Sequence, residues 1–125
     1  MKILVLAAAL AATALPAPAV AAPAPAGETR ACLLIQTIRQ TRVVNDEMVE
    51  FITRDGTLWQ NKLPNRCPGL GFERAFSYST SIPQLCDVDV ITVFQQSAGT
   101  RAAARCGLGK FVSAGPARKP APPKP

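Results

Sequence analysis

The chain has 125 residues, with 14 Lys and Arg against 8 Asp and Glu, four cysteines and no histidine. That length suits a single small domain, and without an imidazole Ser-His-Asp and Cys-His catalysis are excluded. Histidine-bearing zinc sites go with them, and the cysteines form no Cys-x2-Cys pair.

Lys2 precedes an apolar, uncharged run over residues 3–15, and Pro16, Pro18 and a series of alanines follow. This is the three-part layout of a secretory signal peptide. The run is shorter than the ~20 apolar residues that a membrane span requires, and no second such run follows. Ala19-Val20-Ala21 fits the small-x-small cleavage rule, so the cut is expected after Ala21, with Ala24-Pro25-Ala26 as the second choice. The expected organisation is a signal peptide over 1–21, an Ala/Pro spacer over 22–29, a domain over 30–112 and a disordered Pro- and Lys-rich tail over 113–125. The mature protein is expected in the periplasm or outside the cell, without a transmembrane anchor.

Within the domain the apolar pattern has mostly period two, the strand signal. Residues 37–44 predict a first strand, ended by Asn45-Asp46. Residues 48–53 and 57–63 flank Arg54-Asp55-Gly56, a strong hairpin signal. A three-residue loop with Gly56 left-handed sets Phe51 opposite Trp59 and Ile52 opposite Leu58. Pro64 and Pro68-Gly69 then break the chain, and Phe72, Arg74, Phe76 and Tyr78 alternate as a further strand. Ser81-Ile82-Pro83 predicts the start of a helical turn running into Cys86. The β-branched run 88–94 predicts a central strand, 100–105 a helical turn or loop, and 107–112 a short last strand. The expected fold is mainly β: a small antiparallel meander or barrel-like sheet of five to six strands with one or two short helical turns.

Four cysteines in a small exported domain predict two disulfides, and they allow three pairings. A nested arrangement is the expectation, with Cys32 bonded to Cys106 and Cys67 to Cys86. Loss of the leader removes only one cation, Lys2, and three of those that remain, Arg118, Lys119 and Lys124, sit in the tail. These make the tail a candidate tether to anionic envelope polymers, and they leave the folded part near charge balance.

The order Cys32, Ile38-Arg39, Val43-Val44, Asn61-Lys62-Leu63-Pro64, Arg66-Cys67-Pro68-Gly69-Leu70, Phe76-Ser77-Tyr78, Leu85-Cys86, Ile91-Thr92-Val93 and Cys106-Gly107-Leu108-Gly109 resembles a family of small exported bacterial proteins. That family is described as a domain of unknown function with four cysteines and with RCPGL and LC motifs. The resemblance covers about residues 32–112. It implies export and a single domain, and it assigns no activity, ligand or catalytic residue.

Three function classes remain. Asp87 and Asp89, two apart on a predicted strand, with Glu73 elsewhere, are the carboxylates a hydrolase would have to use. Phe72, Arg74, Phe76 and Tyr78 form a candidate binding face for sugars or a protein. Disulfide-stapled β domains also serve as inhibitors of envelope-directed enzymes. The reading favoured is a non-enzymatic binding or envelope-associated protein that needs no cofactor or metal. Its expected partner is an anionic envelope polymer or an envelope protein, and nucleic acid is a poor fit for an exported domain of near-balanced charge.

Overall fold

A computed structural model describes residues 4, 7–17, 22–95 and 103–118. The expected cleavage site after Ala21, residues 100–102 of the predicted turn, and Lys119 and Lys124 of the tail lie outside the described residues.

The chain is mainly β. In order it forms β1 (Thr29–Arg30), β2 (Cys32–Leu34), a 3-10 turn (Ile35–Thr37), β3 (Ile38–Asn45), β4 (Met48–Thr53), β5 (Thr57–Lys62), α1 (Leu70–Glu73), β6 (Phe76–Tyr78), β7 (Gln84–Cys86), β8 (Val90–Val93), β9 (Arg105–Gly107) and β10 (Phe111–Pro116). All strand pairings among the described residues are antiparallel. The principal sheet runs β1-β10-β5-β4-β3, and two smaller sheets run β2-β7 and β6-β8-β9.

The meander β3-β4-β5 follows from its turns. After β3 the Asn45 side chain accepts the Glu47 N–H at 2.8 Å, a local bond that reverses the chain. Between β4 and β5, Gly56 adopts φ 85°, a conformation open to glycine without cost, and its N–H donates to the Thr53 carbonyl. The resulting register sets Phe51 against Trp59 and Ile52 against Leu58, as the loop length predicts. Phe51, Trp59 and Phe111 of this sheet meet Leu33, Leu85, Ile91, Val93 and Leu108 in one core. Phe51 is fully buried there, with an edge contact to Phe111 of the same sheet at 5.4 Å and one to Phe76 at 6.0 Å that ties the principal sheet to the β6-β8-β9 sheet.

The disulfides are not nested. Cys32 bonds Cys86, and Cys67 bonds Cys106, so the two loops interleave. The pairing of β2 with β7 decides this by placing Cys32 directly opposite Cys86. Cys67 is held just after β5 by its N–H bond to the Asp46 carbonyl, which leaves it for Cys106 on β9.

Three local readings also change. Residues 72–78 do not form one strand, because Pro68-Gly69 opens the helical turn α1 and only Phe76–Tyr78 extend. Residues 81–83 bend without a helix, and β7 follows at once. The last strand is longer and later than 107–112, because Ser113 and Gly115 are inward-facing members of β10.

The segment 22–29, expected as a spacer, is stitched to the sheet. Ala24 is only 7% exposed. Its N–H donates to Thr57 Oγ1 at 2.8 Å, and its carbonyl accepts from Ser113 Oγ at 3.1 Å. Gly27 and Glu28 continue the attachment through backbone bonds to Ser113. Small side chains permit this close approach, and two hydroxyls on β5 and β10 meet the backbone groups that it buries.

Candidate functional site

The residues singled out in the sequence do not converge. Phe72 stands on α1 at 82% exposure, while Phe76 and Tyr78 turn partly inward and lie 6.4 Å apart, ring to ring. Arg74 ends α1 in the left-handed region with φ 55° and is exposed. Arg118 is exposed just past β10. Asp87 and Asp89 occupy the turn before β8 rather than the strand itself. There Asp87 pairs with Lys110 at 3.1 Å, and Asp89 accepts the Cys86 N–H at 2.7 Å. Glu73 lies at the end of α1, on another element.

The distribution of charge is more informative than any single motif. Four carboxylates are matched to cations: Glu28 to Arg30, Asp46 to Arg66, Glu50 to Arg42 and Asp87 to Lys110. By contrast, Arg39, Arg54, Lys62, Arg74, Arg105 and Arg118 are exposed and form no ion pair among the described residues. The Arg54 N–H donates to the Thr37 carbonyl at 2.8 Å. That bond sets Arg54 beside the start of β3, which carries Arg39 and Arg42.

Two hollows open on the domain, and the second is lined in part by Arg54. One, of about 400 Å³, is lined by Asn45, Asp46, Arg66 and Gly71. Asp46 is committed within it: Oδ1 accepts the Gly71 N–H at 2.7 Å, and Oδ2 accepts Arg66 Nε and Nη2 at 3.1 and 3.0 Å, while Glu47 adds a second carboxylate to the lining. The Gly71 bond first, and then Arg66, hold the Asp46 carboxyl below its ordinary range against the opposing effect of burial.

The other, of about 330 Å³, lies at the β1, β2, β4-β5 and β7 junction. Its floor is Trp59, only 1% exposed, with Leu33 and Cys32 on one wall and Gln84, Thr37 and Arg54 nearer the mouth. Arg30 lies over the Trp59 ring at 4.7 Å and is steadied by Glu28 Oε1, which accepts its Nε and Nη2 at 2.9 and 2.8 Å. Trp59 Nε1 donates to Thr53 Oγ1 at 3.3 Å, and Thr53 Oγ1 donates to Asp55 Oδ1 at 2.5 Å. Desolvation works against the charged form of Asp55. The Thr53 and Thr57 hydrogen bonds and nearby Arg30 outweigh it and hold the carboxyl below its ordinary range. Sequence reading missed this hollow because its lining comes from five separate segments. The period-two placement of Trp59 was its only visible trace.

These features define a disulfide-stapled antiparallel β domain with several exposed cations that form no ion pair among the described residues. All four cysteines are paired, as an oxidising compartment permits, and among the described residues no helix is long and apolar enough to cross a membrane. No protein-family model, curated protein or solved structure matches the chain.

Proposed function

We propose that this protein is an exported, non-enzymatic binding domain whose partner is an anionic polymer of the cell envelope. Export follows from the leader expected to be cut after Ala21, and it agrees with the paired cysteines. The observation that carries the reading is the set of exposed cations that form no ion pair among the described residues, Arg39 and Arg54 foremost, on a domain whose acids are largely taken up by its own cations and backbone. Exposed guanidinium groups attract carboxylate and phosphate groups and match them in two-pronged geometry. The tail cations Arg118, Lys119 and Lys124 add a second basic element along the chain.

Co-sedimentation of the oxidised mature chain with envelope fractions tests this reading. Exposed charges are screened beyond ~10 Å at about 0.1 M salt and beyond ~3 Å at about 1 M. Binding at low salt that is released at high salt is expected. Absence of binding at low salt, or binding indifferent to salt, overturns the proposal, and the second result directs attention to an envelope protein.

A further inference from the structure

We propose that the hollow beside Trp59 receives one sugar-sized unit carrying a carboxylate or a phosphate. This rests on the anionic-polymer reading above and names the place where that reading becomes specific.

The volume of about 330 Å³ falls within the range of small-ligand sites, which are typically ~300–1,000 Å³ with a few convergent polar groups on an apolar lining. The apolar part here is Leu33, Leu34, Trp59 and Cys32, which is bonded to Cys86. The polar edge is Thr37, Gln84 and the two arginines. A sugar has the matching form, with C–H faces for the apolar wall and hydroxyls for the amide and hydroxyl of Gln84 and Thr37.

The charge preference follows from which groups are already committed. Glu28 takes Arg30 Nε and Nη2, so among the described residues Nη1 is left without a partner, on a guanidinium already fixed over Trp59. Arg54 has no ion-pair partner among the described residues. The one carboxylate in the lining, Asp55, has its Oδ1 saturated by Thr53 Oγ1 and the Thr57 N–H at 3.1 Å. Among the charged groups of the lining, the donors left over are therefore guanidinium N–H groups, two cations against the single acceptor Asp55 Oδ2, and one guanidinium is held in place before any ligand arrives. Holding a donor in advance lowers the ordering cost of binding.

The chain contains a single tryptophan, so the Trp59 indole N–H gives one unambiguous NMR signal at the floor of the hollow. The intact oxidised protein is titrated with glucuronate, with glucose 6-phosphate and with neutral glucose. A saturable shift with at least one of the two acids is expected, with glucose at least about tenfold weaker. The acid that binds more tightly tells carboxylate from phosphate. Arg54→Gln changes an exposed side chain, and its unliganded spectrum reports whether the fold is kept. It is expected to weaken binding about tenfold or more, the loss that follows removal of a charge-assisted hydrogen bond. No saturable shift with either acid, equal binding of glucose, or an unchanged Arg54→Gln titration overturns the proposal. If envelope co-sedimentation stays salt-sensitive in that event, only the hollow is ruled out. If it fails as well, the anionic-polymer reading falls with it.

Discussion

Asn61 and Gly109 are bonded to each other twice. Asn61 Nδ2 donates to the Gly109 carbonyl at 2.6 Å, and the Gly109 N–H donates to Asn61 Oδ1 at 2.8 Å. Asn61 is 0% exposed, so this amide replaces water for a stretch of backbone that leads from β9 into β10. Asn61→Ala leaves both backbone groups unmet at a partly buried position, and we expect a loss of about 1–3 kcal/mol in urea unfolding. Gly109→Ala is expected to be at least as damaging, because a Cβ there collides with the Lys62 carbonyl oxygen, a backbone atom. A change under about 0.5 kcal/mol for Asn61→Ala contradicts this assignment.

The attachment of Ala24 predicts that the chain is sensitive to where it begins. A protein starting at Gly27 loses the bonds from Ala24 to Thr57 and Ser113, and of the two hydroxyls Ser113 Oγ keeps the Gly115 N–H. Against a chain starting at Ala22, we expect it to unfold with a stability lower by about 1–3 kcal/mol. Equal melting temperatures for the two chains contradict a structural role for the segment.

Non-reducing peptide mapping is expected to recover Cys32 joined to Cys86 and Cys67 joined to Cys106, and no Cys32–Cys106 peptide. The bridges close loops with sequence separations of 54 and 39 residues. Loop-closure entropy assigns each a stabilisation of about 4 kcal/mol. Replacing either pair by alanine should therefore lower the unfolding free energy by roughly 2–5 kcal/mol.

The hairpin around Gly56 was legible from the chain alone, because its register depends on a turn signal and on apolar residues only a few positions apart. The cysteine pairing was not. It depends on β2 meeting β7, two three-residue strands too short to show a period and brought together from distant parts of the chain. Phe72 and Arg74 read as strand because they alternate with Phe76 and Tyr78. Gly69 at φ 84° and Arg74 at φ 55° instead close a helical turn whose inward residue is Leu70. The hollow at Trp59 was hidden for a related reason: Arg30 and Trp59 come together only through β1 and β10, and β1 is two residues long.

Asp46 gives the fold an acid-sensitive contact. Its folded pKa lies below the ordinary value, so the stability it contributes is fully present above its unfolded pKa, near ~3.9. That contribution is lost as pH falls through the lowered folded value. Asp46→Asn is therefore expected to be less stable than the parent at neutral pH, with the difference shrinking below about pH 4. Thermal midpoints of both proteins from pH 6 downward measure this. A constant difference across that range contradicts the assignment.

The central claim, recognition of an anionic polymer by exposed cations that form no ion pair among the described residues, is tested most directly by the salt dependence of binding. Alginate, a polyuronic acid, serves as the probe for the oxidised protein and for a variant carrying Arg39→Gln, Arg54→Gln and Arg105→Gln, all at exposed positions. The account predicts that log K falls linearly with log salt for the parent. For the variant it predicts weaker binding and a slope shallower by about two to three, close to one for each charge removed. A parent that does not bind, or a variant with the parent's affinity and slope, contradicts it.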